Sequence, residues 1–218
     1  MSKPAIEVEF IAKRPSDAAG VAAALDAAGV KPVTLDIANW SDTYPYKPIV
    51  SFRLAHTGNS ILISWNCDED TVRGVADDNG AVWEDSCVEF FISFDGGESY
   101  YNIECNCRGG KLCGYGKGHE NRVRAAANVL NRFDVAVSMG RDAFDTRKAE
   151  GPWQMSMIIP LSVFTHGAPA NLRGITADAN FYKCGDALPR PHFLSWSKVE
   201  TPLPNFHRPE FFGHLHFK

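Results

Sequence analysis

The sequence predicts an all-β protein, an antiparallel β-sandwich with a short N-terminal helix. Three observations predict it. Short runs rich in β-branched and aromatic residues recur along the chain, clusters of turn-forming residues separate them, and a helical pattern is confined to one alanine-rich stretch. The turn clusters include Thr57-Gly58-Asn59, Asp95-Gly96-Gly97, Arg108-Gly109-Gly110 and Gly167-Ala168-Pro169.

In chain order, Ile6 to Ile11 alternates apolar and polar residues and predicts the first strand. Ser16 and Asp17 then offer an N-cap to Ala18 to Ala28, a run of helix formers that Gly29 closes, so a short helix is expected near Asp17 to Ala28. Strands follow at Ile49 to His56, Ser60 to Asn66, Ser86 to Phe94 and Tyr100 to Cys107. Further strands are expected at Asn131 to Met139, Trp153 to Ile159, Leu172 to Tyr182, His192 to Ser197 and Gly213 to Phe217. No repeat, linker or low-complexity tract divides the chain, and one domain is expected over residues 1–218. Hydrophobic residues make up 44% of the chain, enough for a full core, which excludes a disordered protein.

A net charge of -4 without a basic cluster argues against nucleic acid as partner. No apolar run reaches bilayer length, so no membrane partner is expected. The start, Met1-Ser2-Lys3-Pro4-Ala5, lacks the apolar stretch of a secretory signal. Six cysteines are present, and Cys87, Cys105 and Cys107 lie inside strand runs, which reads as buried, reduced thiols. A cytoplasmic location follows as the expectation; a trimmed native N-terminus would point to secretion instead.

Two neighbouring strands carry the chemistry. In Ser86 to Phe94, Val88, Phe90, Ile92 and Phe94 share a core face, which leaves Glu89 opposite, with Trp83 and Asp85 beside it if the backbone stays extended. In the next strand Tyr101, Ile103, Cys105 and Cys107 form one face, with Asn102, Glu104 and Asn106 on the other. The short turn Asp95 to Ser99 makes these strands a hairpin. A third strand places Asp178 and Asn180 on a polar side. Asn, Asp and Glu are poor strand formers, so their repetition in mid-strand marks a functional face. A Trp plate for the C–H surface of a sugar and acidic or amide groups for its hydroxyls is the chemistry such a face offers.

The segment Trp83-Glu84-Asp85-Ser86-Cys87-Val88-Glu89-Phe90-Phe91-Ile92 resembles the signature of family 9 carbohydrate-binding modules, a DOMON-like sandwich family. Asn39-Trp40, Ile61 to Trp65, Trp153 to Pro160 with Leu161, Leu194 to Ser197, and Phe206-His207-Arg208-Pro209 with Phe212 to Leu215 are similar to its other segments, so the resemblance spans about residues 33–218. It implies a jelly-roll-like β-sandwich that binds sugars, often at chain ends, between two aromatic rings. Trp83 matches one stacking ring and Glu89 the family's Glu. Phe206, with His207 beside it, falls where the second stacking Trp stands, Asn102 and Glu104 near its Arg and Asn, and Asp178 near its Gln. The expected carbohydrate-binding set is therefore Trp83, Glu89, Asn102, Glu104, Asp178, Asn180, Phe206 and His207, in a protein that is not an enzyme and needs no cofactor.

Other readings use the same residues. Glu89 with Glu104 is a carboxylate pair that a glycoside-processing enzyme could use, although no accompanying catalytic motif is present. A protein-interaction sandwich with a vestigial pocket is the third class. Asp68-Glu69-Asp70 and Asp77-Asp78 are candidate calcium loops without EF-hand spacing. His214 and His216 share one strand face but lack the further ligands of a zinc site, and Cys105 and Cys107 point to the core, so no metal is expected.

Overall fold

The computed structural model describes residues 3–218. Its elements are β1 (Ala5–Phe10), α1 (Val21–Ala27), β2 (Val33–Thr34), β3 (Ile37–Ala38), β4 (Ile49–His56), β5 (Ser60–Asp68), β6 (Thr71–Gly74), β7 (Cys87–Ser93), β8 (Tyr100–Asn106), β9 (Lys111–Gly116), β10 (Val123–Arg124), α2 (Ala127–Leu130), β11 (Asp134–Val137), β12 (Phe144–Lys148), β13 (Trp153–Pro160), β14 (Thr176–Cys184), β15 (Phe193–Ser195) and β16 (Gly213–Phe217). One sheet runs β10-β9-β8-β7-β14-β16-β1 and the other β1-β4-β5-β13-β11. The shared strand β1 pairs through Ala5 to Val8 with β16 and through Glu9 and Phe10 with β4. Both pairings are parallel, because β1 enters from the N-terminus without a hairpin partner; the remaining described pairings are antiparallel.

The inner faces form the sandwich core. Val88, Phe90 and Ile92 of β7 and Phe181 of β14 meet Phe52, Trp65 and Trp153 from the second sheet. The Phe181 ring lies between Phe52 and Phe90, with centroid distances of 3.9 Å and 4.9 Å. Each such fully buried aromatic side chain contributes on the order of 2–3 kcal/mol. The period-2 pattern of the sequence is thus what orients the first sheet. It fixes which residues of β7, β8 and β14 face away from the core.

The helix forms where its caps predict. Asp17 accepts from the backbone N–H of Gly20 at 3.1 Å, a 3-10 turn over Ala18–Gly20 leads into α1, and Gly29 leaves it at φ +68°. Val21 and Leu25 pack against Ala55, Leu62 and Ile158 on the outer face of the second sheet.

The outer face of the first sheet is not simply solvated. Phe91, Tyr100 and Tyr182 build a second apolar cluster there, covered by Val199, Phe206 and Phe212 from the long segment between β15 and β16. Asn39 and Trp40 fasten that segment: Asn39 accepts from Val199 N at 3.1 Å, and Trp40 Nε1 donates to Thr201 O at 2.6 Å. The strands β2, β3, β6, β9, β10 and β12 have no counterpart among those expected. β9 contains Gly114 and Gly116, and β10 is two residues long, so neither carries strong local preference.

Candidate functional site

The hairpin β7–β8 has the register the sequence implies. Glu89 lies directly opposite Glu104 and Phe91 opposite Asn102, while β9 continues the row with Leu112 beside Glu104 and Gly114 beside Asn102. Above this row opens a cavity of about 970 Å³, walled on the far side by the chain between β15 and β16. Trp83, Glu89, Asn102, Glu104, Phe206 and His207 all line it.

Trp83 does not reach the cavity from extended backbone. It sits in a 3-10 turn, Val82–Glu84, closed by Asp85 N donating to Val82 O. The turn also sends Asp85 inward. Its buried carboxylate accepts from Val75 N at 3.0 Å, Ala76 N at 2.8 Å and Asn106 Nδ2 at 2.7 Å, and pairs with Arg73. Asp85 is therefore a strut rather than a neighbour of Trp83 on a common face. Trp83 O accepts from Asp186 N at 3.1 Å, which holds the half-buried indole in place.

Asp178 and Asn180 do not join the cavity. Asp178 stands opposite Ser93, four residues along β7 from Glu89, or about 13 Å of strand. It pairs with His214 Nδ1 at 2.7 Å. Asn180 is fully buried, donating to Ser197 O and accepting from Ser197 N, both at 2.9 Å. Alternation puts both residues on the correct side of β14. Register, which no single strand reveals, puts Asp178 too far along it, while Asn180 stands level with Phe91 and Asn102 and is held away from the cavity by its bonds to Ser197.

Residues the sequence did not single out complete the walls. Arg122 Nε donates to Asn102 Oδ1 at 2.8 Å, and Asn102 Nδ2 donates to Glu104 Oε1 at 2.7 Å, so the Arg fixes the amide and the amide fixes the acid. A Cβ at Gly114 would come within 2.5 Å of Asn102 Oδ1, which is why the adjoining position lacks a side chain. Arg124, Asp186 and His119 also face the cavity. The alternation Arg122-Val123-Arg124 is a weak signal that could have found the arginines.

The charges are unusual for a binding surface. Burial, and then the Glu104 charge, raise the Glu89 carboxyl well above its usual range. Burial pushes Glu104 up to about 7. Asp186 rises to about 6, through burial and then Glu84. His207 is driven down to about 3 by burial and stays neutral, hydrogen-bonded through Nδ1 to the Tyr100 hydroxyl at 2.9 Å. Phe206 stacks on Tyr182 at 4.1 Å and is only 8% exposed, so it offers the cavity a ring edge more than a face.

Two further groups bear on cations. Cys87 and Cys184, cross-strand partners, bring their sulfurs and a Glu89 oxygen within 4.8 Å of one another. Burial pushes the Cys87 thiol up to about 12, and Cys184 Sγ donates to Glu89 Oε1 at 3.0 Å. In the acidic loops, Glu69 is held by Lys183 and Asp70 by Arg190, while Asp77 pairs with Arg108 and Asp78 with Lys111. Those carboxylates already have cations from the chain. His214 and His216 bond to Asp178 and Thr176.

Fold and site together define a ligand-binding β-sandwich, with one deep polar cavity on the outer face of one sheet. The sequence model of carbohydrate-binding family 9 matches residues 19–217, and the chain belongs to that family. That family is one of carbohydrate-binding, non-catalytic modules. A crystal structure from Bacteroides uniformis ATCC 8492, provisionally assigned as a carbohydrate-binding protein, is 45% identical over 100% of both chains with a TM-score of 0.95. Two structures of a family 9 module from Caldicellulosiruptor kristjanssonii, one with glucose and one with cellotriose, share the fold. The glucose complex is 14% identical (TM-score 0.63, covering 99% of this chain and 96% of that one). The cellotriose complex is 16% identical (TM-score 0.64, covering 99% and 94%). No curated protein matches the sequence.

Proposed function

We propose that the protein binds a mono- or oligosaccharide, at a chain end, in the cavity between Trp83 and the segment carrying Phe206 and His207, and performs no chemistry on it. The observation that carries this reading is the convergence of Trp83, Glu89, Asn102 and Glu104 on one cavity. The indole supplies a plate for the apolar face of a sugar ring. Asn102, held by Arg122, and the two carboxyls supply hydroxyl partners on a rigid sheet.

Glu89 and Glu104 come without the further nucleophile, base or metal-ligand motif that would mark a catalytic centre. The test is a glycan-array screen followed by calorimetric titration of the best sugar into wild type, Trp83→Ala and Glu89→Gln. Weakened binding in both variants is expected, with micromolar to millimolar affinity in the wild type, roughly 4–8 kcal/mol. Equal affinity in all three proteins would place the ligand elsewhere, and hydrolysis of the sugar during the titration would refute the non-catalytic reading.

A further inference from the structure

The floor of the cavity contains two acids and no cation to match them. Glu89 and Glu104 are direct cross-strand partners and both are 4% exposed. Directly opposed residues of an antiparallel pair have Cβ atoms about 5 Å apart, so one small cation can touch both carboxyls. Among the described residues neither acid forms an ion pair. The nearby cations are occupied. Arg122 donates to Asn102 Oδ1, Gly118 O, Tyr100 O and Gly114 O, and Lys183 projects to the other side of β14, where Glu69 and Cys184 O hold it. Glu104 Oε2 is buried and accepts no hydrogen bond.

Building on the sugar-binding reading above, we propose that this cavity selects a sugar bearing an ammonium group, a hexosamine, whose cation sits between Glu89 and Glu104. A buried acceptor without a partner is destabilising, and an ammonium has three donors with which to satisfy it. A neutral hydroxyl could reach Glu104 Oε2 but would leave two like charges facing one another whenever both acids ionise. The charged groups around the pair are mixed, Arg122 and Arg124 acting on Glu104 from a distance without pairing with it. Asp186 and Glu120 add negative charge to the cavity, His207 is neutral, and Arg208 is paired with Glu210. Arg124 donates to Asn79 O and lies 6.0 Å from the Trp83 ring centroid, beside the plate rather than between the acids. An ammonium ion between the carboxyls also favours their ionised forms. Hexosamine binding near neutral pH therefore releases protons, and binding of a neutral sugar does not.

The experiment is calorimetric titration of the intact protein at pH 7 with glucosamine, glucose and N-acetylglucosamine, each in phosphate and in HEPES. Glucosamine should bind at least tenfold more tightly than glucose, and its apparent heat should differ between the buffers by the ionisation heat of the released proton. N-acetylglucosamine, whose nitrogen carries no charge, should lose the advantage. In Glu104→Gln the preference for glucosamine over glucose should fall to about twofold, while thermal unfolding confirms that the variant is folded. Glucose binding as tightly as glucosamine to the wild type, with no buffer dependence, overturns the hexosamine proposal and leaves the sugar site standing. Silence from all three sugars, together with a blank glycan array, overturns the sugar site itself.

Discussion

Two buried acidic clusters lie on opposite sides of β14, and they are built on opposite principles. On the core side, Glu69 accepts from Lys183 Nζ at 2.9 Å and from Trp153 Nε1 at 2.6 Å. Lys183 also reaches Cys184 O and His192 Nε2, both at 2.8 Å, so every charged group there has partners. On the cavity side, Glu89 has a thiol and Glu104 an amide, and no cation pairs with either. The same strand thus separates a closed network that fixes the fold from an open one that invites a ligand. Desolvation is severe in both places; what differs is whether the chain supplies the counter-charge.

Four outcomes would break or sharpen that contrast. The largest belongs to the closed cluster. Lys183→Met leaves the Glu69 carboxylate buried without its cation and should cost about 3–5 kcal/mol of unfolding free energy, read by urea denaturation. A loss below 1 kcal/mol would mean that the network is not what holds β14 against the loop after β5.

The open cluster should show itself in the pH dependence of stability. Glu104 is raised from 4.5 to about 7 in the folded protein, so between these values the folded state holds a proton that the unfolded state has released. Unfolding free energy should then fall as pH rises across this window, with roughly 1–3 kcal/mol of the fall due to Glu104 and a further part due to Glu89, which is raised in the same direction. Glu104→Gln should flatten the slope. An unchanged slope would show that Glu104 titrates normally.

Trp83→Ala should weaken binding of the best sugar at least tenfold, about 1.4 kcal/mol, with a smaller change in stability because the indole is half-buried. A variant that fails to fold would return Trp83 to the core. The smallest effect is a null one. Burial pushes Cys87 and Cys113 up to about 12 and raises Cys105 in the same direction, so native thiols should resist a thiol reagent, whereas protein unfolded without reductant should titrate all six. A lower count would reveal bridging, with the cross-strand pair Cys87 and Cys184 the first place to look.

The period-2 patterns of Val88, Phe90 and Ile92 in β7 and of Tyr101, Ile103 and Cys105 in β8 determined their core faces, and with them the outward direction of Glu89, Asn102 and Glu104. Asp17 and Gly29 determined the ends of the helical stretch. These features are local, and local sterics and capping act wherever the segment finds itself. Only the tertiary structure decided that Trp83 comes from a 3-10 turn with Asp85 turned inward, because Asp85 answers to N–H groups of Val75 and Ala76 on a different strand end. It also decided that Asp178 stands too far along β14, since the register of a strand is set by the strands beside it, and that Asn180 is buried against Ser197. And it decided that Arg122, from the loop before β10, braces Asn102 against Glu104 while no cation pairs with either acid. Charge balance in a cavity is a property of everything that lines it, and the residues that line this one are drawn from five separate stretches of the chain, at Trp83 to Glu89, Asn102 to Gly114, His119 to Arg124, Cys184 to Phe193 and Thr201 to Arg208.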